Sequence, residues 1–279
     1  MLRVGRIPYI NTYPVYGAVD RGIVPLDATM RDGIPSALNA EMAAGSLDVS
    51  VISAVEYALH ADRYLLLPDL AITCDGPVRS VMLFSKRAVE DLDGATVLVS
   101  RSSMTSVELL GLMFRERWGV IPRLVPADAE SADIAHFGDA PHDARLVIGD
   151  AALLLSSGTH PASLLYPHHI DLGFEWKAWT GLPFVFAVWV AQRTTPVADA
   201  LRVHAGLIAS RDWGVAHLPI LAEQAAAVTG VPRQMCELYF SGLDYRLSLP
   251  HLRGLTEFYR RLDAVGRIAA RPLVFLTAA

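Results

Sequence analysis

Hydrophobic and polar positions follow a repeated order along this chain: an apolar, strand-like run, a short polar turn, and then a run with helical periodicity. This order occurs four times, in residues 4–16, 47–59, 95–112 and 144–155. Strands that alternate with helices are typical of open α/β sheets, which bind ligands at the carboxyl ends of their strands. The turns are rich in Asn, Ser, Thr, Gly and Asp. The pattern therefore predicts an α/β fold with a polar ligand site at helix N-termini.

The longer pattern predicts two lobes joined by apolar crossover strands. One crossover is the run SVMLF at 80–84, and the other is LPFVFAVWVA at 182–191, whose Val and aromatic content favours a strand. Further short strands are predicted at 65–67, 71–74 and 164–165, and helices at 197–210, 218–229 and 232–240 and from 248 onward. We therefore expect lobe one to comprise 1–84 plus 192–279, and lobe two to comprise 85–191, with a ligand cleft between the lobes.

Charge and composition exclude several classes of partner. The net charge of −5 and the lack of a Lys/Arg run argue against nucleic acid and anionic membranes. No stretch of about 18 uninterrupted apolar residues occurs, so no membrane span is expected. The first residues do not have the pattern of a signal peptide, which favours a cytoplasmic location. Cys74 and Cys236 lack metal-ligand spacing and are expected to be free thiols.

No pattern for a metal or a cofactor is present. HExxH, paired cysteines, GxGxxG and the P-loop are all absent. The histidines are scattered over predicted helices and loops, where we expect structural rather than catalytic roles: His60, His136, His142, His160, His168, His169, His204, His217 and His251. The sequence therefore predicts a site that works without a cofactor or a metal ion.

Six segments in a fixed order carry a family resemblance. They are PYINTYP, DVSVISAVEYAL, SVMLFSK, SRSSMTSVELL, IGDAALL and DLGFEWKAWTGLPFVFAVWVA. In this order they resemble the chorismate dehydratases, hydro-lyases (carbon–oxygen lyases) of the futalosine route to menaquinone. The resemblance extends to about position 260. It implies the type II periplasmic-binding-protein architecture, which agrees with the two lobes predicted from the pattern.

The resemblance also implies a reaction. Chorismate would lose water to give 3-[(1-carboxyvinyl)oxy]benzoate, so chorismate is the expected small-molecule partner. One alternative is 1,4-dihydroxy-6-naphthoate synthase of the same pathway. That family resembles this chain in fold, but it has a different first turn and a histidine base, and PYINTYP lacks its pattern. A second alternative is a non-catalytic solute-binding protein, for which a signal peptide or a lipid-attachment cysteine would be expected.

Asn11 is the expected catalytic residue. Its amide can donate to the departing hydroxyl or to a carboxylate, and it matches an asparagine that is important in the family; the structural alternative is that Asn11 caps the next helix. The enolpyruvyl carboxylate of chorismate is a candidate for the proton acceptor, because no strong base lies in these motifs.

The remaining candidates are expected to bind substrate. Ser53 has helix capping as its alternative role, and Ser80 matches a family position that faces the cleft. Four hydroxyls cluster before a helix whose N-terminus would attract a carboxylate: Ser102, Ser103, Thr105 and Ser106, of which Thr105 and Ser106 are preferred. Gly149 and Asp150 match a family turn at the cleft, although we favour a capping or orienting role for Asp150. Arg79 is the nearest cation and could neutralise a substrate carboxylate, with surface exposure as the alternative.

Overall fold

The computed structural model describes residues 1–127, 141–269 and 271–278. The strands are, in chain order, β1 (Leu2–Arg6), β2 (Ala28–Asp32), β3 (Val49–Ser53), β4 (Tyr64–Cys74), β5 (Val81–Ser85), β6 (Thr96–Ser100), β7 (Arg123–Ala127), β8 (Ala144–Ile148), β9 (His168–Asp171), β10 (Phe184–Gln192) and β11 (Leu243–Asp244). The helices are α1 (Tyr13–Asp20), α2 (Pro35–Ala43), α3 (Ala54–Leu59), α4 (Met104–Leu112), α5 (Gly149–Ser156), α6 (Leu172–Thr180), α7 (Val197–Ala216), α8 (Leu218–Thr229), α9 (Arg233–Gly242) and α10 (Leu249–Ala264).

The strands form two sheets, one in each lobe. The first sheet has the order β11-β4-β10-β3-β1-β2, and the second has the order β7-β6-β8-β5-β9. In the first sheet β1 pairs in parallel with β2 and β3, and in the second β6 pairs in parallel with β7 and β8. The four strand-turn-helix units predicted from the sequence supply β1, β3, β6 and β8 of these parallel strands. The predicted α/β two-lobe fold is confirmed.

The two crossover strands lie in different sheets from those implied by the predicted lobe boundaries. β10 was expected in lobe two, but it pairs antiparallel with β3 and β4 at the centre of the first sheet, and all of its residues are buried. β5 was expected in lobe one, but it pairs with β8 and β9 in the second sheet. The local pattern identified both strands, but an apolar run does not specify which distant strand becomes its neighbour.

One smaller prediction divided a single strand into two, and another was wrong. The runs at 65–67 and 71–74 are parts of the single strand β4. Residues 164–165 are not a strand but the end of a 3-10 turn, Pro161–Leu165, in which Leu164 is exposed. Pro161 favours the start of a helical turn, and the His160 side chain accepts a hydrogen bond from the Ala162 N–H at 3.2 Å. The strand forms instead at β9.

The helices cover the sheets and also connect the lobes. α10, predicted as a helix from 248 onward, has an apolar stripe that buries Leu255, Phe258 and Leu262. Its polar face reaches the second lobe, where Arg261 pairs with Glu116 at 2.6 Å. Within the described part of the chain, no helix has both the length and the apolar character needed to cross a membrane.

Candidate functional site

A cavity lies between the two lobes. The carboxyl ends of β1, β3, β6 and β8 lead into it, so the four polar turns predicted from the sequence converge here. Its polar side chains are Asn11, Ser53, Ser80, Ser103, Thr105 and Ser106. Its larger aliphatic and aromatic side chains are Ile7, Tyr9, Ile72, Val78, Val81, Ile148 and Phe186. Within residues 1–127, 141–269 and 271–278, no charged side chain and no histidine lines the cavity.

Asn11 lies in the 3-10 turn Ile10–Thr12, which connects β1 to α1. Its side-chain oxygen is buried without a hydrogen-bond partner. The capping alternative is not observed, because Thr12 occupies the N-cap position of α1 and its hydroxyl donates back to the Ile7 and Tyr9 carbonyls at 2.9 Å each. A buried amide oxygen without a partner costs about 1–3 kcal/mol, so Asn11 is prepared to bond to a ligand.

Asp150 does not line the cavity, in contrast to the prediction that it binds substrate. Its Oδ1 accepts a hydrogen bond from the Ile10 N–H at 3.2 Å. This contact joins α5 of the second lobe to the turn that carries Asn11. The observed contact matches the orienting role that we favoured for this residue, and it leaves the cavity wall without a negative charge that would repel an anion.

Ser53 and Thr105 hold the N-terminus of α3 beside the cavity. Ser53 is the N-cap, and its hydroxyl accepts from the Glu56 N–H at 3.0 Å. Thr105 belongs to α4 of the second lobe, and its hydroxyl accepts from the Val55 N–H at 3.2 Å. The capping role predicted for Ser53 is therefore observed, and both hydroxyls also face the cavity.

The serine cluster divides into two pairs. Ser103 is the N-cap of α4, where its hydroxyl accepts from the Ser106 N–H at 3.3 Å and donates to the Ser106 hydroxyl at 2.8 Å. Ser102 is buried but does not line the cavity, because its hydroxyl bonds to that of Ser100 at 2.8 Å. The N-terminus of α4 therefore presents Ser103, Thr105 and Ser106 to the cavity.

Ser80 is held by a strained turn ahead of β5. The preceding residue, Arg79, has a φ of 61°, which is unfavourable for a residue with a side chain. Asp171 stabilises this turn: its Oδ2 accepts from the Arg79 N–H at 2.7 Å, and its Oδ1 accepts from the N–H groups of Val78 and Phe174 at 3.0 Å each. Strain of this kind is common where a side chain must be aimed at a site.

Arg79 and Gly149 have different relations to the cavity. Arg79 does not line it, and its guanidinium lies instead beside Gly242 and the Pro77 carbonyl, so the predicted neutralising role is not supported. Gly149 does line the cavity, with a φ of 65°, and an added Cβ would lie 3.2 Å from the Tyr9 ring. A glycine is therefore required where β8 turns into α5.

Among the described residues, the cysteines and histidines lie outside the cavity. Cys74 and Cys236 are free and buried, and burial raises the pKa of the Cys236 thiol to about 11. His142 bonds to the Tyr166 hydroxyl at 2.6 Å, and His251 lies 3.1 Å from the Thr73 hydroxyl. His136 lies outside the described residues. Among the residues described, no group of three or more His, Cys, Asp or Glu is arranged to hold a metal ion.

Two lobes that enclose a largely apolar cavity, whose polar groups among the described residues are uncharged, define a small-molecule binding architecture. A family model described as "Menaquinone biosynthesis" matches residues 2–264. The chain belongs to this menaquinone-biosynthesis family.

Individual relatives agree with this assignment. A chorismate dehydratase of Thermus thermophilus is 32% identical over 272 residues, which cover 91% of this chain and 95% of the relative. A 1,4-dihydroxy-6-naphtoate synthase of Streptomyces coelicolor is 27% identical over 243 residues, covering 80% and 79%. The periplasmic aliphatic sulphonate binding protein of Escherichia coli shares the fold, with a TM-score of 0.65 at 13% identity and coverage of 99% and 95%. The predicted periplasmic-binding-protein-like fold is confirmed.

The turn that carries Ser80 provides a test of its scaffold. In Asp171→Asn, an amide N–H₂ group replaces one of the two carboxylate oxygens and must face a backbone N–H group. We expect the free energy of unfolding to fall by about 1–3 kcal/mol, measured by urea denaturation, because at least one half-buried donor loses its acceptor. The exposed Asp27 gives the matched control, Asp27→Asn, with an expected change within about 0.5 kcal/mol. Equal stabilities of the two variants would contradict this account of the turn.

Proposed function

We propose that this protein is a chorismate dehydratase, which converts chorismate to 3-[(1-carboxyvinyl)oxy]benzoate and water in the futalosine route of menaquinone biosynthesis. The relative from Thermus thermophilus supports this proposal, because the similarity covers nearly the whole of both chains. The proposal includes a cytoplasmic location, where the chorismate pool would be available.

The buried, unpaired side-chain oxygen of Asn11 is the observation that carries the proposal. Asn11 also lines the cavity, and a 180° rotation of its amide would exchange the acceptor and the donor, since the two ends are distinguished only by hydrogen placement. Chorismate brings a ring hydroxyl that must depart, together with two carboxylates. We propose that the amide of Asn11 binds the ring hydroxyl and assists its loss.

The carboxylates of chorismate would be held by the hydroxyl groups of the cavity. Ser53, Ser80, Thr105 and Ser106 are each less than 10% exposed, and all of them line the cavity. α4 directs its N-terminus and Ser103 to the same space, which adds the favourable end of a helix dipole. Neutral donors of this kind can bind a dianion in a protein whose net charge is −5.

The elimination removes a proton from the ring carbon that bears the ether and hydroxide from its neighbour, which together form water. The ring becomes aromatic, and this supplies much of the driving force. We propose that the enolpyruvyl carboxylate of the substrate accepts the proton, because the described cavity lining contains no histidine or carboxylate. The protein then contributes orientation, hydrogen bonds and exclusion of water.

The sister synthase is the competing enzyme. The relative from Streptomyces coelicolor shows that such a chain can be 27% identical to this one. A histidine base, which the resemblance associates with that family, has no counterpart among the described residues of the cavity wall. This observation favours the dehydratase.

Conversion of chorismate is the direct test. The purified protein is incubated with chorismate in the presence of a chelator and without any added cofactor, and the products are followed by mass spectrometry. We expect the loss of one water and the appearance of the enolpyruvyl benzoate. Unchanged chorismate with a folded protein would contradict the proposal, and cyclic dehypoxanthinyl futalosine would then test the sister synthase.

A substrate analogue tests the proposed proton acceptor. The analogue carries an ethenyl ether in place of the 1-carboxyvinyl ether and therefore lacks the second carboxylate. If that carboxylate takes the ring proton, we expect kcat to fall at least about 100-fold, in line with the usual contribution of a positioned base. An unchanged kcat would show that a protein group or water accepts the proton.

Asn11→Ala separates catalysis from stability. We expect kcat to fall by about 10²- to 10³-fold, as when a single donor at a developing negative charge is removed. The free energy of unfolding should stay the same or rise, because the substitution removes a buried polar atom that lacks a partner. A structural asparagine would behave in the opposite way, with lower stability and nearly normal kcat, and that result would remove Asn11 from the leaving-group role.

A further inference from the structure

Four hydroxyls of the cavity wall share one feature. Each accepts a hydrogen bond from a group behind it, and among the described residues none donates its own hydrogen to a protein acceptor. The pairs are Ser53 with the Glu56 N–H at 3.0 Å, Ser80 with the Tyr239 hydroxyl at 2.8 Å, Thr105 with the Val55 N–H at 3.2 Å, and Ser106 with the Ser103 hydroxyl at 2.8 Å. A hydroxyl has one hydrogen to donate, so each of these hydrogens is left for the cavity.

Ser80 differs from the other three hydroxyls in the origin of its partner. Thr105 and Ser106 accept from a backbone N–H group and from a serine three residues away, both at the N-termini of α3 and α4. Ser53 has the Glu56 N–H as a local donor and also accepts from the side-chain N–H₂ of Asn39 in α2 at 3.3 Å. The donor to Ser80 is a side chain of α9, which lies 159 positions further along the chain. The sequence contains no local feature that would require this contact.

The Tyr239 hydroxyl is the donor in its hydrogen bond to Ser80. It is 1% exposed, and its phenol oxygen donates to Ser80 rather than accepting from it. Burial raises the pKa of the Tyr239 phenol far above the neutral range, so the hydroxyl keeps its proton. Because the ring is enclosed in the core, it cannot turn away from Ser80 without repacking its neighbours.

We propose that Tyr239 is a positioning residue, which occupies a lone pair of the Ser80 hydroxyl and thereby directs the Ser80 hydrogen toward an anionic oxygen of the ligand. The orientation of this hydroxyl affects binding because the described cavity lining offers no cation. A serine without the constraint can rotate and can present a lone pair to the anion, which is repulsive. This inference rests on the proposed function only for the identity of the ligand.

A double-mutant cycle tests the proposal with Tyr239→Phe, Ser80→Ala and the double variant. Tyr239→Phe keeps the ring and removes only the hydroxyl. The control is Tyr166→Phe, which removes a buried hydroxyl bonded to His142 at 2.6 Å and lying outside the cavity wall. The dissociation constants of chorismate and of isophthalate, a stable aromatic dianion, are measured for all variants, along with KM and kcat for chorismate and the free energies of unfolding.

We expect Tyr239→Phe to raise the dissociation constants and KM by about 3- to 10-fold, with kcat changed less than about 2-fold. The reason is that the hydrogen bond from Ser80 to a carboxylate persists through the reaction, so it stabilises the bound substrate and the transition state equally. In the Ser80→Ala background, Tyr239→Phe should add less than about 2-fold, since Tyr239 acts through Ser80. Tyr166→Phe should leave binding unchanged.

Three results would overturn the positioning role. The first is no loss of binding in Tyr239→Phe, and the second is an equal loss with and without the Ser80 hydroxyl. The third is a change in the free energy of unfolding of the double variant that equals the sum of the changes in the two single variants. The double-mutant cycle on the free energies of unfolding requires no ligand. It can therefore refute the positioning role of Tyr239 even if the protein converts chorismate. Conversely, a non-additive cycle with isophthalate in a protein that leaves chorismate unchanged would support the positioning role while refuting the dehydratase.

Discussion

The neutrality of the cavity wall is the constraint on which the rest of the site depends. In the described part of the chain, every polar group that reaches the cavity is an amide, a hydroxyl or a helix N-terminus. Arg79, which could have supplied a positive charge, lies beside Gly242 instead. An anion in this space is therefore bound by oriented dipoles, and such dipoles are effective only when their orientation is fixed before the ligand arrives.

The structure fixes these dipoles with hydrogen bonds that cross between distant parts of the chain. Asp171 stabilises the unfavourable backbone of Arg79 and so places Ser80. Asp150 bonds to Ile10 across the lobes, and Thr105 bonds to Val55 in the same way. Both lobes thus contribute to the cavity wall. The placement of the hydroxyls in one lobe depends on the contact of that lobe with the other.

The local part of this arrangement could be predicted from the sequence. The strand-turn-helix units were recognisable from periodicity, and the turn residues Asn11, Ser53, Thr105, Ser106 and Gly149 all reach the cavity. The capping role of Ser53 also followed from its position between a strand and a helix. These features depend on residues that are close together along the chain.

The part that could not be predicted depends on contacts over long distances in sequence. β10 was recognised as a strand, but its place between β3 and β4 is set by tertiary packing. The direction of the Arg79 side chain depends on a turn that is stabilised by Asp171, which lies 92 positions further along the chain. Asn39 and Tyr239 were missed for the same reason, since they support Ser53 and Ser80 from other helices.

We propose that neutral, pre-oriented groups bind the dianion while Asn11 faces the departing hydroxyl. A crystal structure of Asn11→Ala soaked with chorismate tests this most directly, because the variant should bind substrate but react slowly. We expect the carboxylates to contact hydroxyls among Ser53, Ser80, Thr105 and Ser106, and the ring hydroxyl to point at position 11. A carboxylate paired with an arginine side chain, or a ring hydroxyl directed away from position 11, would contradict the account.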